Sequence, residues 1–129
     1  MTKPGKFLLL LGLAQALHSI EEIYFHLYDF AAKAGLTPPA IISSFMQLEM
    51  RSEIFAMMNI VVIAALLAVV PFYEERRRWA VTAAWIAACA EVLNGLYHLT
   101  AAMLFARFFP GALSAPLLLL TGALLLHQL

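Results

Sequence analysis

The sequence predicts an all-α integral membrane four-helix bundle with both termini on the cytoplasmic side, and three observations carry that prediction. Of the 129 residues, 64% are hydrophobic and only 12% charged, against roughly half and about a quarter in an ordinary soluble domain. Four apolar stretches each run for about 18 residues or more, enough to cross roughly 30 Å of hydrocarbon at about 1.5 Å per residue. Nothing alternates with the period of two that barrel strands need, and in lipid only helices or closed barrels satisfy their own backbone.

The first helix is expected over 7–32. Lys3 and Lys6 precede it, and Lys33-Ala34-Gly35-Leu36-Thr37-Pro38-Pro39 follows, with a glycine to stop one helix and Thr37 and proline to open the next. Its start also reads as a secretory signal, with a basic opening, an apolar core and an A-x-A cleavage pattern at Ala14-Gln15-Ala16. The apolar pattern continues to Ala32, which favours a retained helix. The second helix, over 39–71, would measure about 48 Å, too long for the core alone, so its opening part lies at or beyond the interface. Pro71 and the run Glu74, Glu75, Arg76, Arg77, Arg78 end it as a solvated turn. The third, over 79–106, opens on Trp79 at interfacial depth and closes at Arg107, before a Pro110-Gly111 turn. The fourth, over 112–129, carries Ser114, Thr121 and His127 as its polar residues and reads as a wall. The whole chain forms a single transmembrane domain.

Positive charge sets the orientation. Lys3, Lys6 and Arg76 to Arg78 lie on one side, and Lys33, Arg51 and Arg107 on the other, which directs both termini to the cytoplasm of a bacterial-type plasma membrane. Eight basic against eight acidic residues leave no field for nucleic acid. The single cysteine, Cys89, excludes an internal disulfide and any cysteine-based metal motif. Membrane lipid and a lipid-soluble small molecule are the expected partners.

Ionisable groups in the apolar runs are the informative residues, since each costs about 2.5–3.5 kcal/mol at mid-membrane and so marks a function or a partner. The first run holds His18, Glu21, Glu22, His26 and, near its end, Asp29. At 100° per residue His18, Glu22 and His26 rise along one stripe with Glu21 beside them. Glu91, Asn94 and His98 share one face of the third helix, where Gly95 admits a neighbouring backbone. The second helix adds Glu49, Glu53 and Asn59, the last an interhelical hydrogen-bond partner. Counted from the cytoplasm, the two His/Glu sets meet at comparable depth, from mid-membrane toward the outer half, which makes the first and third helices parallel neighbours.

His18-Ser19-Ile20-Glu21-Glu22 resembles the signature of the HXXEE family of small polytopic membrane proteins. Asn94-Gly95-Leu96-Tyr97-His98 and Phe109-Pro110-Gly111 are similar to recurrent segments of that family, so the likeness spans most of the chain. It implies a membrane-embedded helical domain with a His/Glu functional centre, and implies no reaction.

Several functions fit these residues. A metal centre would use His18, Glu22, Glu91 and His98 as ligands, with Glu21, His26 or Glu53 supporting them or binding a second ion; imidazole and carboxylate suit Zn, Fe or Mn in a single or di-metal centre. The pattern departs from helical di-iron proteins, which carry Glu-x-x-His where this chain has His-x-x-Glu. Metal-free acid–base chemistry on a lipidic substrate would use Glu21 or Glu22 as base, His18 and His98 as proton shuttles and Asn94 to orient the substrate. These readings span a metal-dependent hydrolase or oxidoreductase and a lipid isomerase. Intramembrane His and Glu chains also serve proton- or ion-coupled transport, for which four spans would need a homodimer. The remaining alternative is a network that only locks helix packing.

Overall fold

The computed structural model of the chain describes residues 1–27, 52–105 and 108–129. Among them are four α-helices and no strand: α1 (Lys3–Tyr24), α2 (Ser52–Glu74), α3 (Arg78–Phe105) and α4 (Ala115–Gln128). The first three, of 22, 23 and 28 residues, are long and apolar enough to cross a membrane. Asp29, Lys33, the 33–39 connector, the start of the second helix at 39, Glu49, Arg51 and Arg107 lie outside the described residues.

The helix ends differ from hydropathy in instructive ways. α1 begins at Lys3 rather than 7, because Thr2 caps it: the Gly5 amide donates to Thr2 Oγ1 at 3.2 Å, and proline fills the first turn. Its α-helical run closes at Tyr24 rather than at 32, since His26 turns left-handed at φ 55° with its amide donating to the Ile23 carbonyl. α2 continues through Pro71 to Glu74, where the proline was expected to end it. Proline disturbs the turn before it, through its missing amide hydrogen and its ring, and leaves the turn after it helical: the Glu75 amide donates to the Pro71 carbonyl at 3.1 Å. The stop is Arg76 at φ 58°, with the Arg76 amide donating to Tyr73 and the Arg77 amide to Phe72, the paired bonds of a Schellman motif in which glycine is usual.

α4 is shorter than the transmembrane span expected over 112–129. Its 14 residues cover about 21 Å, short of the hydrocarbon core. Residues 112–114, assigned to the helix by their apolarity, instead continue the turn from Pro110 and Gly111 that folds over the end of the bundle.

α1 packs against α2 and α4, and α3 against the same two helices, so α1 and α3 face each other across the bundle diagonal with little direct contact. The expectation that they are neighbours is therefore corrected. Groups at the centre can still bridge them. The bundle is zoned along its length. At the end that holds both termini, Leu8, Leu11, Val70, Ala84, Ala88 and Leu125 form an apolar core. Toward the opposite end the buried stripe of α1 passes through Gln15, His18, Ser19 and Glu22, and that of α3 through Glu91, Gly95 and His98. Gly95 lets α4 approach, since a Cβ there would meet the Ala115 carbonyl oxygen at 2.9 Å.

Polar ties fasten both zones. Glu74 accepts from the Thr2 amide at 2.9 and 3.0 Å and from the Thr2 hydroxyl at 2.7 Å, joining the end of α2 to the start of α1. Deeper, Gln15 Nε2 donates to Ser19 Oγ, Ser19 Oγ donates to Asn59 Oδ1 at 2.7 Å, and Asn59 Nδ2 donates to the Phe55 carbonyl. Asn59 is thus the interhelical partner that the sequence suggests. Such bonds average about 0.6 kcal/mol and reach about 1.7 kcal/mol in membrane proteins. Ser19→Ala leaves Asn59 Oδ1 buried without this donor, so it should destabilise the protein by about 1 kcal/mol in a reversible mixed-micelle unfolding titration.

Candidate functional site

The site forms where the polar stripes of α1 and α3 meet beneath the turn that precedes α4. His18 and Glu22 stand one turn apart on α1, so both side chains point to the bundle axis. His98 reaches the same point from α3. All three are buried, at 0%, 6% and 1% exposure. Glu22 Oε1 lies 3.3 Å from His18 Nε2 and 3.0 Å from His98 Nε2, and the two imidazole rings meet edge-on with centroids 4.5 Å apart. One ligand-capable atom from each residue falls within 4.8 Å of the others, an arrangement that could hold a metal ion.

Outer hydrogen bonds fix which nitrogen of each ring faces inward. His98 Nδ1 lies 2.6 Å from the Pro110 carbonyl oxygen. A carbonyl only accepts, so Nδ1 carries the proton. His18 Nδ1 lies 2.8 Å from Ser114 Oγ. Ser114 commits its single hydroxyl hydrogen to Glu21 Oε2 at 2.5 Å, and therefore accepts from His18 Nδ1–H. When neutral, both imidazoles therefore turn an Nε2 lone pair toward the Glu22 carboxylate.

Three acceptors converging on one dry point repel one another unless something positive lies between them, either protons or a metal cation. The surroundings supply no such group. The buried side-chain polar atoms without a hydrogen-bond partner among the described residues are Gln15 Oε1, His18 Nε2 and Glu91 Oε2, and all three are acceptors.

Glu21 occupies a different place. Its Oε1 accepts from the Gly111 and Leu113 amides at 3.0 and 3.1 Å, and its Oε2 from the Ser114 amide at 2.8 Å and the Ser114 hydroxyl. Four donors use the whole acceptor capacity of a carboxylate. Glu21 therefore caps the turn before α4 from across the bundle, and through Ser114 it orients His18. The turn comes close enough to need glycine. Gly111 has φ 89°, and a Cβ on it would collide with the rings of both His98 and His18.

The remaining sequence candidates sit apart from the triad. Glu91 is buried on the same stripe of α3, beside the Asn94 side chain and within electrostatic reach of His18 and Glu22. It is not one of the three groups that share a ligand-binding point. Asn94 is half-buried, whereas His26 and Glu53 are exposed, and neither is among the three groups that share the ligand-binding point. Sequence reasoning missed Ser114, Pro110 and Gln15. The Pro110-Gly111 turn signal was the available clue to the first two, but it gives no hint of which histidines the turn would touch.

Fold and site together define a class: an all-helical protein with three helices able to span a membrane and a buried His/Glu cluster at one end of its bundle. The chain belongs to the HXXEE family, whose model, described as a protein of unknown function with HXXEE motif, matches residues 9–126. In this chain the motif letters are His18, Glu21 and Glu22. No curated protein and no solved structure matches the chain.

Glu21→Gln replaces one acceptor oxygen with an amide NH2 group, a donor that would face donors at either position. Hydrogen exchange at the Gly111, Leu113 and Ser114 amides should accelerate at least about tenfold, matching the roughly 1.5 kcal/mol of one hydrogen bond to a charged group. Unchanged exchange would remove Glu21 as the cap.

Proposed function

We propose that His18, Glu22 and His98 hold a divalent metal ion, of the Zn, Fe or Mn kind that imidazole and carboxylate ligands suit, and that the centre acts on a lipid-soluble substrate. The observation that carries this reading is the convergence of two histidine Nε2 atoms on one buried carboxylate oxygen, with each histidine's Nδ1 engaged by an outer partner. Tetrahedral bonds of about 2.0–2.1 Å separate neighbouring ligand atoms by about 3.3 Å, comparable to the 3.0 and 3.3 Å found here. Two His and one Glu leave a fourth position open, as catalytic sites do. An ion held this way supplies Lewis-acid polarisation of a substrate oxygen or of water.

The chain's own residues have separate tasks in this reading. Pro110 and Ser114 set the histidine tautomers, as outer partners do in characterised metal sites. Glu91, with a buried unpartnered oxygen, is the candidate for a further ligand or for holding a proton near the open position. A cavity of about 370 Å³ lies beside Glu21 and Ser114, with Leu17, Ile20, Tyr24, Phe25 and Leu113 as its apolar walls. It has the size and lining expected for a small apolar ligand arriving from the bilayer.

A second reading, metal-free acid–base catalysis, draws on the 3.0 Å separation of His98 Nε2 and Glu22 Oε1, which equally suits a shared proton. Elemental analysis separates the two. The purified protein should carry about one metal ion per chain, lost in His98→Ala and in Glu22→Gln but kept in Ser19→Ala, whose polar contact lies outside the cluster. Absence of metal from the parent after reconstitution with zinc, iron and manganese salts would eliminate the metal reading and leave the proton one.

A further inference from the structure

The opposite end of the bundle has its own chemistry. Every lysine and arginine among the described residues lies there: Lys3 and Lys6 in the first turn of α1, Arg76 and Arg77 in the connection to α3, and Arg78 at the start of α3. Only Glu74 and Glu75 oppose them at this end, and both are engaged. Glu74 accepts from Thr2, and Glu75 pairs with Arg77 at 3.1 Å. Arg76 forms no ion pair among the described residues. Its backbone is held left-handed at φ 58°, a conformation that costs about 1 kcal/mol for a residue with a Cβ.

That arginine lines a cavity. Thr2, Pro4, Tyr73, Arg76 and Val81 enclose about 280 Å³ between the start of α1, the end of α2 and the first turn of α3. Its lining combines a guanidinium and two hydroxyl-bearing side chains with the apolar surfaces of Pro4 and Val81. Trp79, exposed and packed against Phe72 with ring centroids 5.0 Å apart, marks this level as the boundary between lipid and water. A guanidinium offers bidentate donors to phosphate, and basic pockets between helices at this depth bind anionic lipid headgroups.

We infer that this cavity is a binding site for the phosphate headgroup of an anionic phospholipid. Arg76 is its anchor, the Tyr73 hydroxyl adds a hydrogen-bond donor, and Pro4 and Val81 face the start of the acyl chains. A lipid, rather than a soluble phosphate ester, is the source that matches a cavity with an apolar wall at interfacial depth. Topology alone accounts for a surplus of cations on one side of a membrane, but it does not require that one unpaired arginine line a cavity.

Native mass spectrometry of the detergent-purified full chain tests this, with phosphatidylglycerol, phosphatidylcholine and sn-glycerol 3-phosphate as probes. The protein should retain one phosphatidylglycerol in preference to phosphatidylcholine. Arg76→Gln should lower that retention by about fivefold or more, the effect of about 1 kcal/mol per basic contact, while Arg78→Gln, equal in charge and outside the cavity, leaves it unchanged. Val81→Trp fills the cavity with every charge kept, and should abolish the preference. Equal losses in Arg76→Gln and Arg78→Gln would reduce the effect to general surface charge. Full retention in Val81→Trp would remove the cavity from the account. Binding of glycerol phosphate as strong as that of the lipid would assign the site to a soluble ligand and overturn the inference.

Discussion

The structure depends on a buried carboxylate, Glu22, facing two imidazole nitrogens whose protons are held elsewhere. Three acceptors in a site closed to water are tolerable only with positive charge among them, and each local feature at that end of the bundle contributes to holding this arrangement. α1 supplies His18 and Glu22 from a single stripe. α3 supplies His98 across the diagonal, where direct helix contact is slight and side chains must bridge. The turn before α4 supplies a carbonyl to one histidine and a hydroxyl to the other. Gly111 lets that turn lie directly against both rings.

The spacing of the HXXEE motif follows from helical geometry. Residues four apart differ by about 40° around an α-helix, so His18 and Glu22 reach the same axis. Glu21, about 100° away from Glu22, points instead to the turn before α4. Two adjacent glutamates therefore do different jobs: one enters the cluster, and the other gathers four donors from residues 111–114. Ser114 links them, since its hydroxyl donates to Glu21 and accepts from His18. Replacing either glutamate would reach the same histidine, from its inner or its outer nitrogen.

Hydropathy revealed the helical class, the extent of α3 and the candidate residues, because these follow from which side chains lipid tolerates. The His18/Glu22 stripe and the Glu91/His98 face were readable from offsets alone. Helix ends were less accessible. α1 and α2 stop at His26 and Arg76 in left-handed conformations that sequence usually reserves for glycine. The start of α4 was hidden for a different reason: residues 112–114 are apolar enough to read as helix, and what draws them into a turn is a carboxylate about 90 positions earlier in the chain. Ser114 and the Pro110 carbonyl carry no hydropathy signal, so only the folded arrangement identifies them as the histidines' partners. Glu91 shares the right stripe yet stands outside the triad, because periodicity specifies a face and not a meeting point.

The His/Glu cluster thus occupies one end of the bundle, separated by an apolar core from the cationic end that carries the termini. The central claim is that His18 and His98 both keep their proton on Nδ1 and offer Nε2 to a shared cation. Nitrogen-15 NMR of histidine-labelled protein loaded with cadmium-113 tests it most directly, with the exposed His26 and His127 as internal references. The account predicts one-bond coupling from cadmium to Nε2 of His18 and His98, with a proton on each Nδ1. Coupling through Nδ1, or protons on both Nε2 atoms with no coupling to cadmium, would contradict it.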